Sequence, residues 1–252
     1  MPKLIYAVLL VNPDNEEKLF DIVSSIKGYA ALPLYIIQLN KLAAIVSNIP
    51  PKGLDKKVAN LLAYANVIET LMIDYTIMPM RFGSIAESTD QVFAMLFKNT
   101  SNFEQKLLGL VHKSEFGLKI NFDSEQLKEA FTINAKQPRN DSENISIDEN
   151  SSIFRQYVEK KLNEHRIEDL YSTLKETVKS RVIEFLNPLN ETFFFDKHPG
   201  KKNIIDTYIL TEITKKDQLM KMVNQLQLEF VSISFTLTGP WPPFNFADII
   251  LK

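Results

Sequence analysis

Thr76-Ile77-Met78-Pro79-Met80-Arg81-Phe82-Gly83-Ser84 decides how this chain is read. Ile77, Met78, Met80 and Phe82 are apolar and suit a strand, and Arg81 is the one charge among them. Pro79 cannot donate a ladder hydrogen bond, so a strand at Ile77 to Phe82 lies at a sheet edge or begins at the proline. Gly83 accepts backbone angles or close approaches that other residues resist. Arg81 carries five donors in a rigid fork. The expectation is a buried arginine tied to a neighbouring loop, with a ligand or partner contact as the sharper alternative.

What precedes the stretch makes it the fourth strand of a set. Leu4 to Val11 is a continuous apolar run ending in turn residues, the pattern of a buried strand. Asn12 or Asp14 caps a helix whose apolar face is Leu19, Phe20, Ile22, Val23 and Ile26, with Gly28 as its stop. Pro33 to Gln38 and Leu42 to Val46 are strands joined by a hairpin-length connection. A helix runs from about Leu54 to Tyr75, with Val58, Leu61, Leu62, Ala65, Ile68, Leu71 and Met72 at helical spacing. The order is β-α-β-β-α-β, the ferredoxin-like pattern. A further helix, from Ser88 or Thr89 to about Val111, carries enough apolar residues to require a packing partner.

The same order then restarts. Phe116, Leu118, Ile120 and Phe122 fall on one face of a strand at Glu115 to Phe122. A short helical piece follows from Ser124 to about Ile133, then a polar stretch, 134–151, that reads as a mobile loop. A long helix spans Ser152 to Phe185, with Phe154, Tyr157, Val158, Leu162, Leu170, Leu174, Val178 and Val182 as inward candidates, and Pro188 closes it. Strands at Thr192 to Phe195 and Ile204 to Leu210, a helix at Lys215 to Gln225 and a strand at Leu228 to Leu237 complete the set. The expected architecture is α+β: two ferredoxin-like domains, 1–111 and 112–238, the second with a long helix, and an extended tail, 239–252. In that tail three prolines fix much of the backbone around Trp241, Phe244 and Phe246. It reads either as a strap across its own domains or as an aromatic edge offered to a partner.

Composition narrows the chemistry. The chain has 252 residues, 45% hydrophobic and 24% charged, with a net charge of −2, so no electrostatic case exists for nucleic acid or an anionic membrane. It has no cysteine, which excludes disulfides, thiolate catalysis and cysteine-held metals. The apolar run at the N-terminus is only about eight residues, against the roughly 18 of a membrane span. Seven glycines argue against a glycine-rich phosphate loop. His112, His165 and His198 stand in no metal-binding spacing, and no catalytic motif is present, so no cofactor, metal or catalytic site is expected.

Three motifs carry a resemblance. Met78-Pro79-Met80-Arg81-Phe82-Gly83-Ser84 resembles the "lPlrFGt" motif of gas vesicle accessory proteins of the GvpF/GvpL type. Glu115-Phe116-Gly117-Leu118-Lys119-Ile120 resembles their "EwglKv" strand, and Thr238-Gly239-Pro240-Trp241-Pro242-Pro243-Phe244-Asn245-Phe246 resembles their closing "tGPWPPYsF". Order and spacing match along nearly the whole chain. Phe244 stands where a tyrosine is usual. Many members have a histidine early in the helix before "PlrFG", and here the nearest equivalents are Tyr64 and Asn66. The resemblance implies a non-enzymatic protein of two α+β domains that contacts the hydrophobic shell subunit GvpA, and other gas vesicle proteins, during nucleation or assembly. It also implies a place in the cytoplasm and, as a minor component, in the vesicle. Arg81, Phe82, Trp241, Phe244 and Phe246 are the candidate partner-binding or interdomain residues. The rival expectation is a ferredoxin-like sensor or enzyme that holds an anionic ligand at Arg81.

Overall fold

β1 (Lys3–Leu10) is apolar from Leu4 onward because both of its faces are covered. The structure, a computed structural model, describes residues 1–50, 53–122, 153–197 and 204–247. It is an α+β protein with two antiparallel sheets. The chain forms two compact units: Met1–Phe116 with Ile209–Lys216 and Thr238–Lys252, and Gly117–Tyr208 with Asp217–Leu237.

In the first unit β1 is followed by α1 (Pro13–Ser25), β2 (Leu34–Leu39), β3 (Leu42–Asn48), α2 (Val58–Asp74), β4 (Ile77–Pro79), β5 (Ile85–Ala86), α3 (Thr89–Lys98) and α4 (Thr100–Leu110). The sheet runs β2-β3-β1-β4, with β5 also paired to β1, and every pairing is antiparallel. A register shift falls between Ile5 and Ala7. Such a bulge reverses the alternation of side chains. Leu4 and Tyr6, then Ala7 and Leu9, therefore share one face, where they pack with Leu19 and Val23 of α1 and Val67, Ile68 and Leu71 of α2. Ile5 and Val8 face the other way, onto Val92 and Leu96 of α3 and Phe103 and Leu107 of α4. The helix expected beyond Ser88 is thus two helices that cover the second face. The break is at Asn99, whose side-chain amide donates to the Met95 carbonyl (2.9 Å). That local bond competes with helix continuation.

Two inward faces differ from the sequence reading. On α2, Val58, Leu61 and Leu62 are exposed, and Tyr64 and Val67 are buried in their place. The helix is apolar around most of its circumference, so spacing did not select a face; the contacts of Tyr64 did. On α1, Phe20 is exposed. Gly28 is not the helix stop, because Ile26 is already extended. Glycine is needed at that point since a Cβ would overlap the Tyr6 hydroxyl and Leu34.

The second unit draws on β6 (Lys113–Phe122), α5 (Ile153–Leu186), β7 (Thr192–Phe195), β8 (Ile204–Glu212), α6 (Lys216–Glu229) and β9 (Ile233–Trp241), and its sheet runs β7-β8-β6-β9. Leu118, Ile120 and Phe122 are buried on one face of β6, with Val178, Val182 and Leu186 of α5 and Leu219, Met222 and Leu226 of α6 also buried. Leu170 is exposed, unlike the expectation. The last strand begins at Ile233 rather than Leu228, because α6 continues to Glu229; Leu228 and Val231 are exposed. The expected helical piece at 124–133, the loop at 134–151 and the ends of the tail beyond 247 lie outside the described residues.

Candidate partner-binding site

The Ile77–Phe82 stretch is a shorter strand than its composition suggests. β4 stops at Pro79, at the edge of the sheet, and Met80 N–H donates to the Tyr6 carbonyl (2.8 Å) as the chain leaves it. A turn follows, closed by Ser84 N–H to the Arg81 carbonyl (3.0 Å), with Gly83 at φ +94°. Arg81 sits in this turn and is exposed, which overturns the expectation of a buried arginine. The turn carries Arg81 beyond the end of β4, so the packed faces of the sheet do not enclose it. Phe82 turns inward.

Phe82 closes an aromatic cluster. Tyr6 and Tyr64 stack with ring centroids 4.7 Å apart, and Phe82 meets Tyr64 edge-on at 5.2 Å. The Tyr64 hydroxyl donates toward the carbonyls of Met80 (2.8 Å) and Ile5 (3.0 Å). Burial pushes its pKa far up, so it stays a donor. The Tyr6 hydroxyl accepts from Tyr29 N–H (2.7 Å) and shares a hydrogen with Ser47 Oγ (3.0 Å). The cluster binds the end of β4 to β1 and α2.

The C-terminal motif docks on the same unit. β9 runs through Thr238-Gly239-Pro240-Trp241, so these residues are strand. Gly239 has φ +113°, and a Cβ there would lie 2.8 Å from the Glu115 carbonyl oxygen and 3.0 Å from Phe116 Cδ1. Beyond the strand, Asn245 donates twice to the Glu115 carboxylate, by its main-chain N–H (2.8 Å) and its side-chain amide (2.6 Å). Glu115 is only 5% exposed. Burial raises its pKa, and the two bonds from Asn245 pull it part of the way back. Phe244 packs against the core face that holds Tyr6 and Tyr64, and Ala247 against the face that holds Ile5 and Val8. Phe246 is partly buried, and its N–H donates to the Pro243 carbonyl (3.2 Å). Two of the three motifs therefore meet through one carboxylate, and Phe82 and Phe244 contribute to one core.

Trp241 points the other way. It is 47% exposed and, with Pro240 and Pro242, lines a groove of about 440 Å³ against Asn66, Glu69, Thr70, Met72 and Ile73 of α2. Ile73 is 79% exposed. A neighbouring groove of about 520 Å³ shares Met72 and Ile73 and adds Asp74, His112, Lys113, Glu212 and Ile213; Ile213 is 51% exposed. The result is an apolar surface of indole, prolines and isoleucines with carboxylates and a lysine at its rim. Among the described residues no three His, Cys, Asp or Glu side chains are placed to hold a metal ion. His198 lies outside them. No described helix is long and apolar enough to cross a membrane.

Of the five residues singled out by sequence, Phe82 and Phe244 are core contacts, Phe246 is partly buried, and Trp241 and Arg81 face solvent. Ile73, Ile213, Glu115 and Asn245 were not foreseen. Glu115 had a signal: it is a charge directly before the buried face of β6. Ile73 was masked by an apolar helix with no preferred side.

Residues 3–248 match the family model described as gas vesicle synthesis protein GvpL/GvpF. Gas vesicle protein F of Streptomyces sp. (strain CB03234) is 25% identical over 219 residues, covering 86% of this chain and 88% of that protein. Gas vesicle protein L1 of Halobacterium salinarum is 21% identical over 236 residues, covering 87% and 83%. Among solved structures, the crystal structure of GvpF from Anabaena sp. PCC7120 aligns with a TM-score of 0.74 at 16% identity, over 99% of this chain and 97% of that one. That of GvpF from Microcystis aeruginosa gives 0.72 at 14%, over 98% and 99%. At such identities these two establish the fold.

Proposed function

The chain belongs to the GvpL/GvpF family of gas vesicle synthesis proteins, and on that premise we propose that it binds the small hydrophobic shell subunit GvpA and assists nucleation or assembly of the vesicle wall. In this reading it is a structural or assembly protein and not an enzyme. It works in the cytoplasm, remains in the vesicle as a minor component, and has other gas vesicle proteins as further partners. The observation that carries the reading is the exposed Trp241 beside Ile73. An indole flanked by prolines is a rigid anchor, and tryptophan is enriched where interfaces concentrate their binding energy. A hydrophobic shell subunit awaiting incorporation has apolar surface to cover, and such a patch is suited to cover it. The strand orders β2-β3-β1-β4 and β7-β8-β6-β9 support reading both sheets as ferredoxin-like. Arg81 lines neither of the grooves beside Trp241, so nothing in their geometry favours the anionic-ligand alternative.

The test is co-purification with the co-expressed shell subunit. Deleting residues 239–252 would also remove Phe244 and Asn245 from the fold, so Trp241→Ala is the informative variant. Loss of the shell subunit with unchanged far-ultraviolet circular dichroism supports the reading. Full retention by Trp241→Ala and by Ile73→Asp moves the contact elsewhere, and failure of the unaltered chain to retain the subunit removes direct binding.

A further inference from the structure

The two edges of the first sheet are built differently. At the β4 edge the strand has three residues and ends in Pro79, and the two-residue β5 takes up the pairing further along β1. Short strands and prolines are the usual devices that keep an edge from pairing with another chain. The β2 edge has neither within the strand; only just before it, at Pro33, does the chain form an isolated antiparallel bridge, with Lys27. Its sequence is Leu34-Tyr35-Ile36-Ile37-Gln38-Leu39, six residues without proline, glycine or charge, rich in β-favouring side chains. It is hydrogen-bonded to β3 on one side and is the terminal strand of the sheet. Tyr35 is 42% exposed.

Beside this edge lies a groove of about 560 Å³, with Leu19 at its base, Ile36 and Gln38 along it, and Phe20, Glu16 and Glu17 as its wall. Phe20 is 64% exposed. Neither Glu16 nor Glu17 forms a salt bridge among the described residues; the one basic residue in α1, Lys18, is bound to Asp74 at 2.6 Å. Lys27 and Lys41 flank the strand at its two ends, which leaves the middle of the groove acidic.

We propose that the outer edge of β2 is a strand-addition site for an extended segment of another protein, with an apolar side chain beside Phe20 and lysine or arginine facing Glu16 and Glu17. Main-chain bonds to the open edge would supply affinity, and the groove would read alternate side chains. The charges argue against a second copy of this chain as occupant. Two β2 strands paired antiparallel would bring two sets of Glu16 and Glu17 onto one face of the joined sheet, where like charges repel. This surface shares no lining residue with the Trp241 groove, so it stands whether or not that groove binds the shell subunit.

The probe is a fluorescein-labelled ten-residue peptide, Thr-Val-Thr-Lys-Thr-Val-Thr-Lys-Thr-Val, which presents valine and lysine in turn on one face of an extended strand, with the same peptide carrying glutamate for lysine as its counterpart. Anisotropy measures binding, hydrogen exchange locates it, and light scattering gives the mass of the free protein. The proposal expects the lysine peptide alone to bind, with new protection of amides in 34–39. Glu16→Gln with Glu17→Gln should weaken it about 2- to 30-fold, the range of two exposed ion pairs, and these substitutions keep side-chain shape. Equal binding of both peptides, no binding, or protection elsewhere overturns it. So does a dimer of the peptide-free protein with residues 34–39 already protected, which would make a second copy the occupant.

Discussion

Replacing Asn245 by alanine should loosen the C-terminal strap in a pH-dependent way. The substitution removes the 2.6 Å amide donor to Glu115 and leaves the 2.8 Å main-chain donor in place. A hydrogen bond to an ionised group contributes about 1.5–3 kcal/mol, against about 0.5–1.5 kcal/mol between neutral groups. The expected loss is therefore about 1.5–3 kcal/mol at neutral pH and about 0.5–1.5 kcal/mol in acid, where Glu115 is protonated. The direction follows from linkage. Burial raises the folded pKa of Glu115 above its unfolded value, so the folded protein holds that proton more tightly. Stability from this group is full below the unfolded pKa, falls as pH rises through the folded one, and then levels. Alanine at 245 raises the folded pKa further and deepens the fall. The variant thus lies nearest the unaltered protein in acid and furthest from it at neutral pH. Trp241 is the single tryptophan of the chain, four residues from Asn245, so its fluorescence during urea unfolding reports on the strap itself. Curves at about pH 3.5 and pH 7.5 bracket the unfolded glutamate pKa of about 4.3. In a Glu115→Gln background the effect of the alanine should lose its pH dependence. An equal loss at both pH values, or less than about 0.5 kcal/mol at neutral pH, would refute the role given to this pair.

Three further outcomes are expected. Phe244→Ala should cost about 2–4 kcal/mol in urea unfolding, somewhat under the value for a fully buried phenylalanine, because the ring is partly buried; a change within 0.5 kcal/mol, about that of an ordinary surface site, would mean it is not a core contact. Gly239→Ala places a Cβ 2.8 Å from the Glu115 carbonyl oxygen at φ +113° and should destabilise by at least about 1–3 kcal/mol; unaltered unfolding would show that the strand can shift to admit it. Tyr64→Phe withdraws the donor from the Met80 and Ile5 carbonyls and should cost about 1–3 kcal/mol, with faster amide exchange around Met80; unchanged stability and exchange would show that water replaces the hydroxyl.

The helices and strands of the first unit were legible where the pattern was local. The unbroken run at Leu4 to Val11 required burial on both sides, and α3 and α4 supply the second cover. The alternation of Phe116, Leu118, Ile120 and Phe122 gave their common face directly, and all four are buried. Pro79 announced an edge strand, and β4 is one. The failures have a common cause. Arg81 was placed by the turn that follows Pro79, and the inward side of α2 by the stacking of Tyr64 on Tyr6, neither of which is a property of spacing.

The amino-acid sequence by itself determined the order of most strands and helices, though not all of their ends, and the family to which the chain belongs, because each of these rests on local periodicity and on short motifs. Tertiary structure decided which aromatic residues of the tail are strap and which are surface. Asn245 and Glu115 stand 130 residues apart, and only the folded chain brings them within hydrogen-bonding distance. Once they are joined, Phe244 is held on the core while Trp241 remains half in solvent. A contact so distant along the chain leaves no periodic trace: burying the Glu115 carboxylate costs free energy, and only the folded chain brings up the Asn245 donors that offset the cost.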